Sequence, residues 1–347
     1  MDRREIYKKI EGKRGNPLIV YVTSVRPGVG AVMGIDSITE IIRQIDLIPK
    51  DKKNIDFMII SNGGDPICSL RIINILRERF NKVNVLVPYV AYSAATLLSL
   101  GADEIVMHPF SNLGPVDPQM ILTQKLQNGQ VASKSFAAED LKNYFKFVKD
   151  DVGLTDQNAL ANSFQLLSNE ISPISIGAAK RSSQLSISLS EKLLSYHMKD
   201  ANKASTISKS LMTSFYHHGY AVSRKEAKNI GLNVLYPDEE LEQLMWKVWL
   251  SFEEEMKANK PFVPENELNE LNEYSVFLQN PQLIANTFKI CVFIGCVDSL
   301  RAISKNEDEL QFICQKVQGQ INCLPNRNIK GWDFHIISNE VNNDNNQ

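Results

Sequence analysis

The chain has 347 residues, of which 43% are hydrophobic and 22% charged, and its formal net charge is -2. That profile excludes a disordered or fibrous protein. It offers no excess of basic surface for nucleic acid or an anionic membrane, so neither is expected as a partner. Five cysteines (Cys68, Cys291, Cys296, Cys314 and Cys323) are odd in number and have no CxxC spacing. They are read as reduced thiols, not as a zinc site or a disulfide framework. The N-terminus, from Met1 to Ile10, is highly charged and has no apolar segment of the signal-peptide kind. No apolar run reaches the ~18–20 residues that cross a bilayer. The longest, Val83 to Leu100, is interrupted by Asn84, Pro88, Tyr92 and Ser93. No membrane span and a cytoplasmic location are expected.

Met1 to Arg14 reads as a charged helix, and Pro17 to Thr23, short and β-branched, as the first strand. Val25 to Ile35 is a loop with Gly28, Gly30 and Gly34. Its glycines do not follow a dinucleotide-binding pattern, and no Walker lysine accompanies them, so no cofactor is expected. Asp36 opens a helix in which Ile38, Ile41, Ile42 and Ile45 recur at helical spacing. Ile55 to Ile60 is the second strand, Pro66 to Phe80 a helix and Val83 to Val87 the third strand. Ala94 to Leu100 is a buried helix and Glu104 to Met107 a fourth strand. Strands alternating with helices imply right-handed βαβ units and a mostly parallel sheet. Reacting groups in such sheets gather beyond the carboxyl ends of the strands.

Further on, Ser111 to Gln119 reads as a loop, and Gln127 to Ser135 as a polar, mobile segment. Ala137 to Val152, Gln157 to Asn169, Gly177 to Leu194 and Thr206 to Phe215 read as helices. His217-His218-Gly219-Tyr220 precedes a short helix, Ser223 to Ile230, and Asn233 to Leu235 is a last short strand. Leu241 to Met256 is an amphipathic helix bearing Trp246 and Trp249. Beyond Lys257 comes a link rich in Pro, Asn and Glu, and then a β-rich stretch from Lys289 to Ile337. The expected division is a core over 1–258, a small β-rich tail over 259–341, and disorder over 342–347.

Two strand ends carry the chemistry. Ile59-Ile60-Ser61-Asn62-Gly63-Gly64-Asp65 closes one strand, and Val87-Pro88-Tyr89-Val90-Ala91-Tyr92-Ser93-Ala94 leads the next into a small-residue turn. A serine at a strand-to-helix turn exposes its hydroxyl near the positive end of a helix. A glycine turn beside it lets backbone N–H groups aim at developing negative charge. Ser93 is therefore a candidate nucleophile, with Gly64 and Ala94 as candidate oxyanion-hole donors. The same residues also fit a small-residue packing site and an ordinary strand-end turn.

The phrases "IISNGGDP", "VPYVAYSAATLLSLGADEIVMHP" and "VSRKEAKNIGLNV" resemble the Clp protease/crotonase fold. Within it, "LGPVDPQ", "AEDLKNYF" and "SRKEAKNIGLNV" resemble the serine dehydrogenase proteinase family, which is related to signal peptide peptidase A and the NfeD-type serine peptidases. The resemblance extends over residues 15–255; in the tail its main trace is Gly331-Trp332. It implies an α/β fold of stacked ββα units with a mostly parallel sheet. It further implies an ATP-independent serine peptidase that acts on peptides or unfolded proteins and assembles as a homo-oligomer.

The general base departs from the family pattern. Clp proteases use a histidine about 25 residues after the serine, where this chain has Gly114 to Gln119 and no histidine. The related peptidases use a lysine at the start of a later helix. The matching position here is near Asp140, with Lys142 half a turn away. A third arrangement pairs Asp117 with His218, a carboxylate and an imidazole in exchanged chain order, since such a triad is recognised by geometry. Asp117, Lys142 and His218 thus stand as candidates beside Ser93. Each also has a plainer reading, as a turn residue, an exposed helix lysine and a solvated turn. The competing functions are a Clp-like scaffold that has lost its base and, ranked below it, acyl-CoA chemistry of the crotonase type.

Overall fold

The computed structural model describes residues 2–125, 131–213, 215, 217–317 and 320–337. The first half runs α1 (Arg3–Arg14), β1 (Leu18–Thr23), α2 (Ser37–Asp46), β2 (Asn54–Ile60), α3 (Pro66–Arg79), β3 (Lys82–Val87), β4 (Val90–Ala91), α4 (Ala94–Leu100), β5 (Glu104–Met107) and β6 (Asn112–Leu113). Then come β7 (Gln119–Lys125), β8 (Val131–Ala137), α5 (Ala138–Lys146) with a π-helical turn (Phe147–Asp151), α6 (Gln157–Glu170), α7 (Pro173–Ser195) and α8 (Ala201–Thr213). The remainder is β9 (Val222–Ser223), α9 (Arg224–Asn229), β10 (Val234–Leu235), α10 (Glu239–Met256), α11 (Pro264–Asn269), α12 (Asn272–Gln279), β11 (Ala285–Ser299), β12 (Ala302–Val317) and β13 (Gln320–Ile336).

The main sheet has the order β10-β5-β3-β2-β1-β11-β12-β13. The five strands from β10 to β1 are parallel, and the last three are antiparallel. The strands of the parallel half bury both faces, which is why they read as continuous apolar runs. Ile19, Tyr21, Phe57, Ile59, Val85 and Val87 face one core with helices α2, α3, α4, α7 and α8. The alternate residues Leu18, Val20, Val22, Met58, Ile60 and Leu86 face the other, under α1 and α10. Period-two alternation of side chains thus divides each strand between two helical layers. Both outer helices are capped by aspartates. Asp2 accepts from the Arg4 N–H, and Asp238 accepts from the Leu241 N–H.

The fold class read from the sequence is the one observed, a mostly parallel α/β sheet with a β-rich C-terminal region. Several local readings are corrected. An antiparallel hairpin begins at Gln119, the last residue of the segment read as a loop, and its second strand, β8, falls largely in the stretch read as polar and mobile, with Gln119 opposite Ala137. Met120, Leu122 and Phe136 pack on one side of this ribbon while Ile121 is exposed on the other. Residues 126–130 lie outside the described residues, as do 342–347, for which disorder was expected. The link after Lys257 contains α11 and α12, whose Leu268, Tyr274 and Phe277 pack on Phe288, Ile290 and Phe312. The β-rich stretch extends the main sheet, because β11 pairs antiparallel with β1 from Ile19↔Ser299 to Thr23↔Gly295. The five cysteines are not all free thiols. Cys314 and Cys323 form a disulfide, being directly opposite on β12 and β13. Sequence spacing alone could not place them in register.

Candidate active site

Ser93 sits between β4 and α4 with φ 51 and ψ -115, in a region that side chains other than glycine rarely occupy. Such a conformation costs on the order of 1–3 kcal/mol and persists only when its surroundings enforce it. Here they do. The Tyr92 N–H donates to the Ser61 carbonyl at 3.0 Å, and the Leu97 N–H donates to the Ser93 carbonyl at 3.0 Å. Thr96 Oγ1 lies 2.7 Å from the Ala91 carbonyl and 3.0 Å from that of Gly114, and it accepts the Gly114 N–H at 2.9 Å. Ser69 Oγ donates to the Ala94 carbonyl at 2.6 Å. The Ser93 side chain makes no capping bond to its own helix and is half-buried.

The glycine turn closes against this serine. Gly63 has φ 99, and a Cβ there would lie 2.6 Å from the Tyr92 carbonyl oxygen, 2.9 Å from the Ala94 nitrogen and 2.9 Å from Ser93 Cβ. Gly64 has φ 151, and a Cβ there would lie 2.4 Å from the Met33 carbonyl oxygen. Both positions therefore require glycine, for conformation and for space. Met33 bridges the turn. Its N–H donates to the Gly63 carbonyl at 2.8 Å, and its carbonyl accepts the Asp65 N–H at 2.9 Å. This bridge skips the Gly64 N–H. Among the described residues, the N–H groups of Gly64 and Ala94 donate to no acceptor.

A second, three-stranded sheet gathers the other candidates. Its order is β4-β6-β9, with Ala91 opposite Leu113 and Leu113 opposite Val222. β4 and β6 are parallel and β6 and β9 antiparallel. Ser93 follows β4, Asp117 follows β6 and His218 precedes β9, so all three emerge at one end. Adjacent strands lie about 4.8 Å apart, which puts β4 and β9 about 10 Å from each other. The loop bearing Asp117 is held by the Val116 N–H, which donates to the Leu211 carbonyl at 3.1 Å, and by Ser186 Oγ, which donates to the Val116 carbonyl at 2.5 Å.

Asp117 and His218 meet. His218 Nδ1 lies 2.9 Å from Asp117 Oδ1, and Gln119 Nε2 donates to Asp117 Oδ2 at 2.8 Å. A carboxylate can only accept, so Nδ1 carries the proton and Nε2 presents a lone pair when the ring is neutral. The hydrogen bond that His218 donates to Asp117 raises the His218 pKa above its ordinary value, against burial, which lowers it. A cleft of about 460 Å³ opens beside the pair, lined by Asp117, Gln119, Glu139, Asp140, Lys146 and His218 among others. Ser93 does not line it. Among the described residues, neither Ser93 Oγ nor His218 Nε2 makes a hydrogen bond.

The remaining candidates have plainer partners, although Asp140 and His217 line the same cleft. Lys142 is 62% exposed and paired with Glu139 one helical turn away, at 2.5 Å. Asp140 accepts the Ala137 N–H at 2.7 Å and caps α5. The His217 ring accepts the Gly219 N–H at 3.0 Å and is exposed. His108 is buried, stacked on Trp246 with ring centroids 5.0 Å apart, and burial lowers its pKa. Met33 and Gln119 were not singled out in the sequence. Met33 stands in a loop whose glycines were the visible signal, and Gln119 gains its role only through the fold.

These features define the class: a parallel α/β protein that delivers a strained serine and a double-glycine turn to one place beyond its strand ends. Residues 1–134 match the family model described as ClpP-like SDH-type serine proteinase. The match includes Gly64, Ser93, Ala94 and Asp117 and ends before Lys142 and His218. It supports a serine peptidase-like function. The chain is 34% identical over 126 residues to an uncharacterized protein of Methanocaldococcus jannaschii, MJ1495, covering 35% of this chain and 43% of that protein. The chain thus spans less than half the length of that relative. It is 28% identical over 240 residues to a second uncharacterized protein of the same organism, MJ0137, covering 67% of this chain and 73% of that one. Among solved structures, it is similar to an alanine mutant of the 1510-N membrane-bound stomatin-specific protease, with a TM-score of 0.37, 17% identity, and coverage of 66% and 84%. It is also similar to ClpP1 from Listeria monocytogenes, with a TM-score of 0.35, 12% identity, and coverage of 67% and 98%. No described helix is long and apolar enough to cross a membrane.

Proposed function

We propose that the chain is a serine peptidase-like hydrolase of peptide bonds in which Ser93 is the nucleophile, His218 its base and Asp117 the carboxylate that orients the base. The observation that carries this reading is the Asp117–His218 pair at the end of the small sheet where Ser93 also emerges. Ser93 Oγ attacks the peptide carbonyl carbon, and its proton passes to His218 Nε2. The electron pair of the carbonyl moves to oxygen, which takes hydrogen bonds from the Gly64 and Ala94 N–H groups. Each such donor supplies on the order of 3 kcal/mol in the transition state. Collapse of the intermediate breaks the C–N bond, and the leaving amine takes the proton from His218. Water then cleaves the Ser93 ester by the same route in reverse. The reaction needs Nε2 within hydrogen-bond reach of Oγ, a contact that such sites commonly tighten only with substrate bound.

Assembly into a homo-oligomer belongs to the same reading. Phe147, Phe164, Leu166 and Ile174 on α5 to α7 are exposed and apolar, as subunit contacts would be. A second reading is a scaffold that keeps the fold without catalysis, favoured by the lack of a hydrogen bond between Ser93 and His218. Intact-mass labelling with a fluorophosphonate probe separates the two. Under the hydrolase reading, wild type gains one adduct that is absent from Ser93→Ala. No adduct between pH 7 and 9 would favour the scaffold.

A further inference from the structure

The loop 24–36, between β1 and α2, is gripped along its length by the chain that follows α10. The Ser24 N–H donates to the Ile294 carbonyl of β11 at 2.8 Å. Arg26 forms a buried ion pair with Glu267, and its Nε donates to the Lys260 carbonyl at 2.9 Å. The Phe262 N–H donates to the Pro27 carbonyl at 2.7 Å. The two backbones run so close there that a Cβ on Gly28 would lie 2.6 Å from the Phe262 carbonyl oxygen. At the far end, Trp332 Nε1 of β13 donates to Asp36 Oδ2 at 2.7 Å. Between these grips lies Met33, whose N–H and carbonyl bond to the residues on either side of Gly64.

We infer that residues 257–336 act as a clamp that fixes the Gly64 N–H through the loop 24–36, with Trp332 a positioning residue for the Ser93 site. The inference rests on the reading of Ser93 as nucleophile with Gly64 as a donor. A backbone donor stabilises an oxyanion only if it is already aimed when charge develops. A free loop of this length would have many conformations to lose. The Met33 bridge is the only contact described that ties this loop to the glycine turn through main-chain hydrogen bonds, and the clamp holds the loop on both sides of it. This gives Trp332 of the β-rich tail a task in the core.

Hydrogen exchange at the Met33 and Asp65 amides tests the coupling without relying on activity. Trp332→Phe keeps an aromatic ring and removes the donor. Asp36→Ala removes the acceptor, and Asp36 makes no side-chain capping bond to α2 that would be lost with it. Both variants should exchange faster at these amides by on the order of five-fold, while the amides of β2 stay at their wild-type rates. Asp36→Asn keeps an acceptor oxygen and should stay near wild type. Ser93 labelling should slow in the first two variants, with kcat falling and KM holding on any peptide turned over. Unchanged exchange in both Trp332→Phe and Asp36→Ala overturns the clamp. Faster exchange in a protein whose wild-type Ser93 never labels supports the clamp and sinks the hydrolase reading instead.

Discussion

His218 Nδ1 lies 2.9 Å from Asp117 Oδ1 although 101 residues separate them. The contact fixes which ring nitrogen is left to act as a base. His218→Ala should lower the rate of Ser93 labelling by at least about 100-fold, the lower range for a general base. Asp117→Asn keeps the shape but can present an N–H to the ring and favour the wrong tautomer, so a loss of similar order is expected. Labelling rates for the two single variants and the double variant check this. Residues acting as one unit should give a double loss close to the larger single one.

The same pair sets a pH dependence. Asp117 raises the His218 pKa above its ordinary value of 6.5, and a base works only when neutral. Ser93 reactivity should therefore rise with pH through a midpoint above 6.5, and Asp117→Asn should move that midpoint down. Because the folded pKa is raised, the stability due to this pair is fully present below 6.5 and lost as pH rises through the folded value. His218 is 38% exposed at its side chain, so solvent screening keeps that contribution small. A labelling profile from pH 5 to 9, with and without Asp117, gives both midpoints.

Gly63 tests the serine turn from the other side. Alanine there meets the Tyr92 carbonyl, the Ala94 nitrogen and Ser93 Cβ, all within 2.9 Å, at a φ of 99. The variant must shift the turn that holds Ser93 and Ala94. Gly63→Ala should cut labelling by about 100- to 1000-fold, comparable with loss of an oxyanion donor. A circular-dichroism melt alongside separates this from unfolding.

Much of this architecture was legible because its signals are local. The runs Leu18–Thr23 and Asn54–Ile60 are short, apolar and closed by turn residues, and they are strands. Ala94–Leu100 follows its turn as read. What sequence could not supply is register. Nothing local sets Cys314 opposite Cys323, or β11 beside β1 with the rest of the parallel half between them in sequence. The hairpin β7–β8 has no alternation that marks it as strand, since Met120, Ile121 and Leu122 are consecutive, so Gln119 appeared as a loop end. The site shows the same division. Ser93 and Gly64 stand at strand ends that periodicity locates, whereas Asp117 and His218 are brought together by the two-residue strands β6 and β9, too short to read from any pattern.

Lys142 should prove dispensable. Its ammonium is exposed and paired with Glu139 on the same helix. Such pairs contribute about 0–1 kcal/mol, and a catalytic amine needs burial that this one lacks. Lys142→Ala should change Ser93 labelling by less than about two-fold, consistent with the negligible role of an exposed surface pair. A loss as large as that of His218→Ala would transfer the role of base to the lysine.

Asp56 should separate stability from reactivity. Its buried carboxylate accepts from Arg14 Nε at 2.8 Å, Asn16 Nδ2 at 3.0 Å and Asn84 Nδ2 at 2.7 Å. It stands in register with Leu18 and Asn84, at the starting ends of β1, β2 and β3, whereas the site lies beyond their finishing ends. A strand of this length spans roughly 20 Å, so the carboxylate is remote from Ser93. Asp56→Ala leaves the Asn16 and Asn84 amides without this acceptor and takes from Arg14 its buried partner, leaving it Glu104 at 3.0 Å. Loss of one partner of a buried ion pair costs about 3–5 kcal/mol when the other charge is left alone; with Glu104 still on Arg14, urea unfolding should register a fall of about 2–3 kcal/mol. Labelling of Ser93, normalised to the folded fraction, should stay at the wild-type rate. A comparable fall in that normalised rate would mean that strand packing at one end of the sheet governs the serine turn at the other.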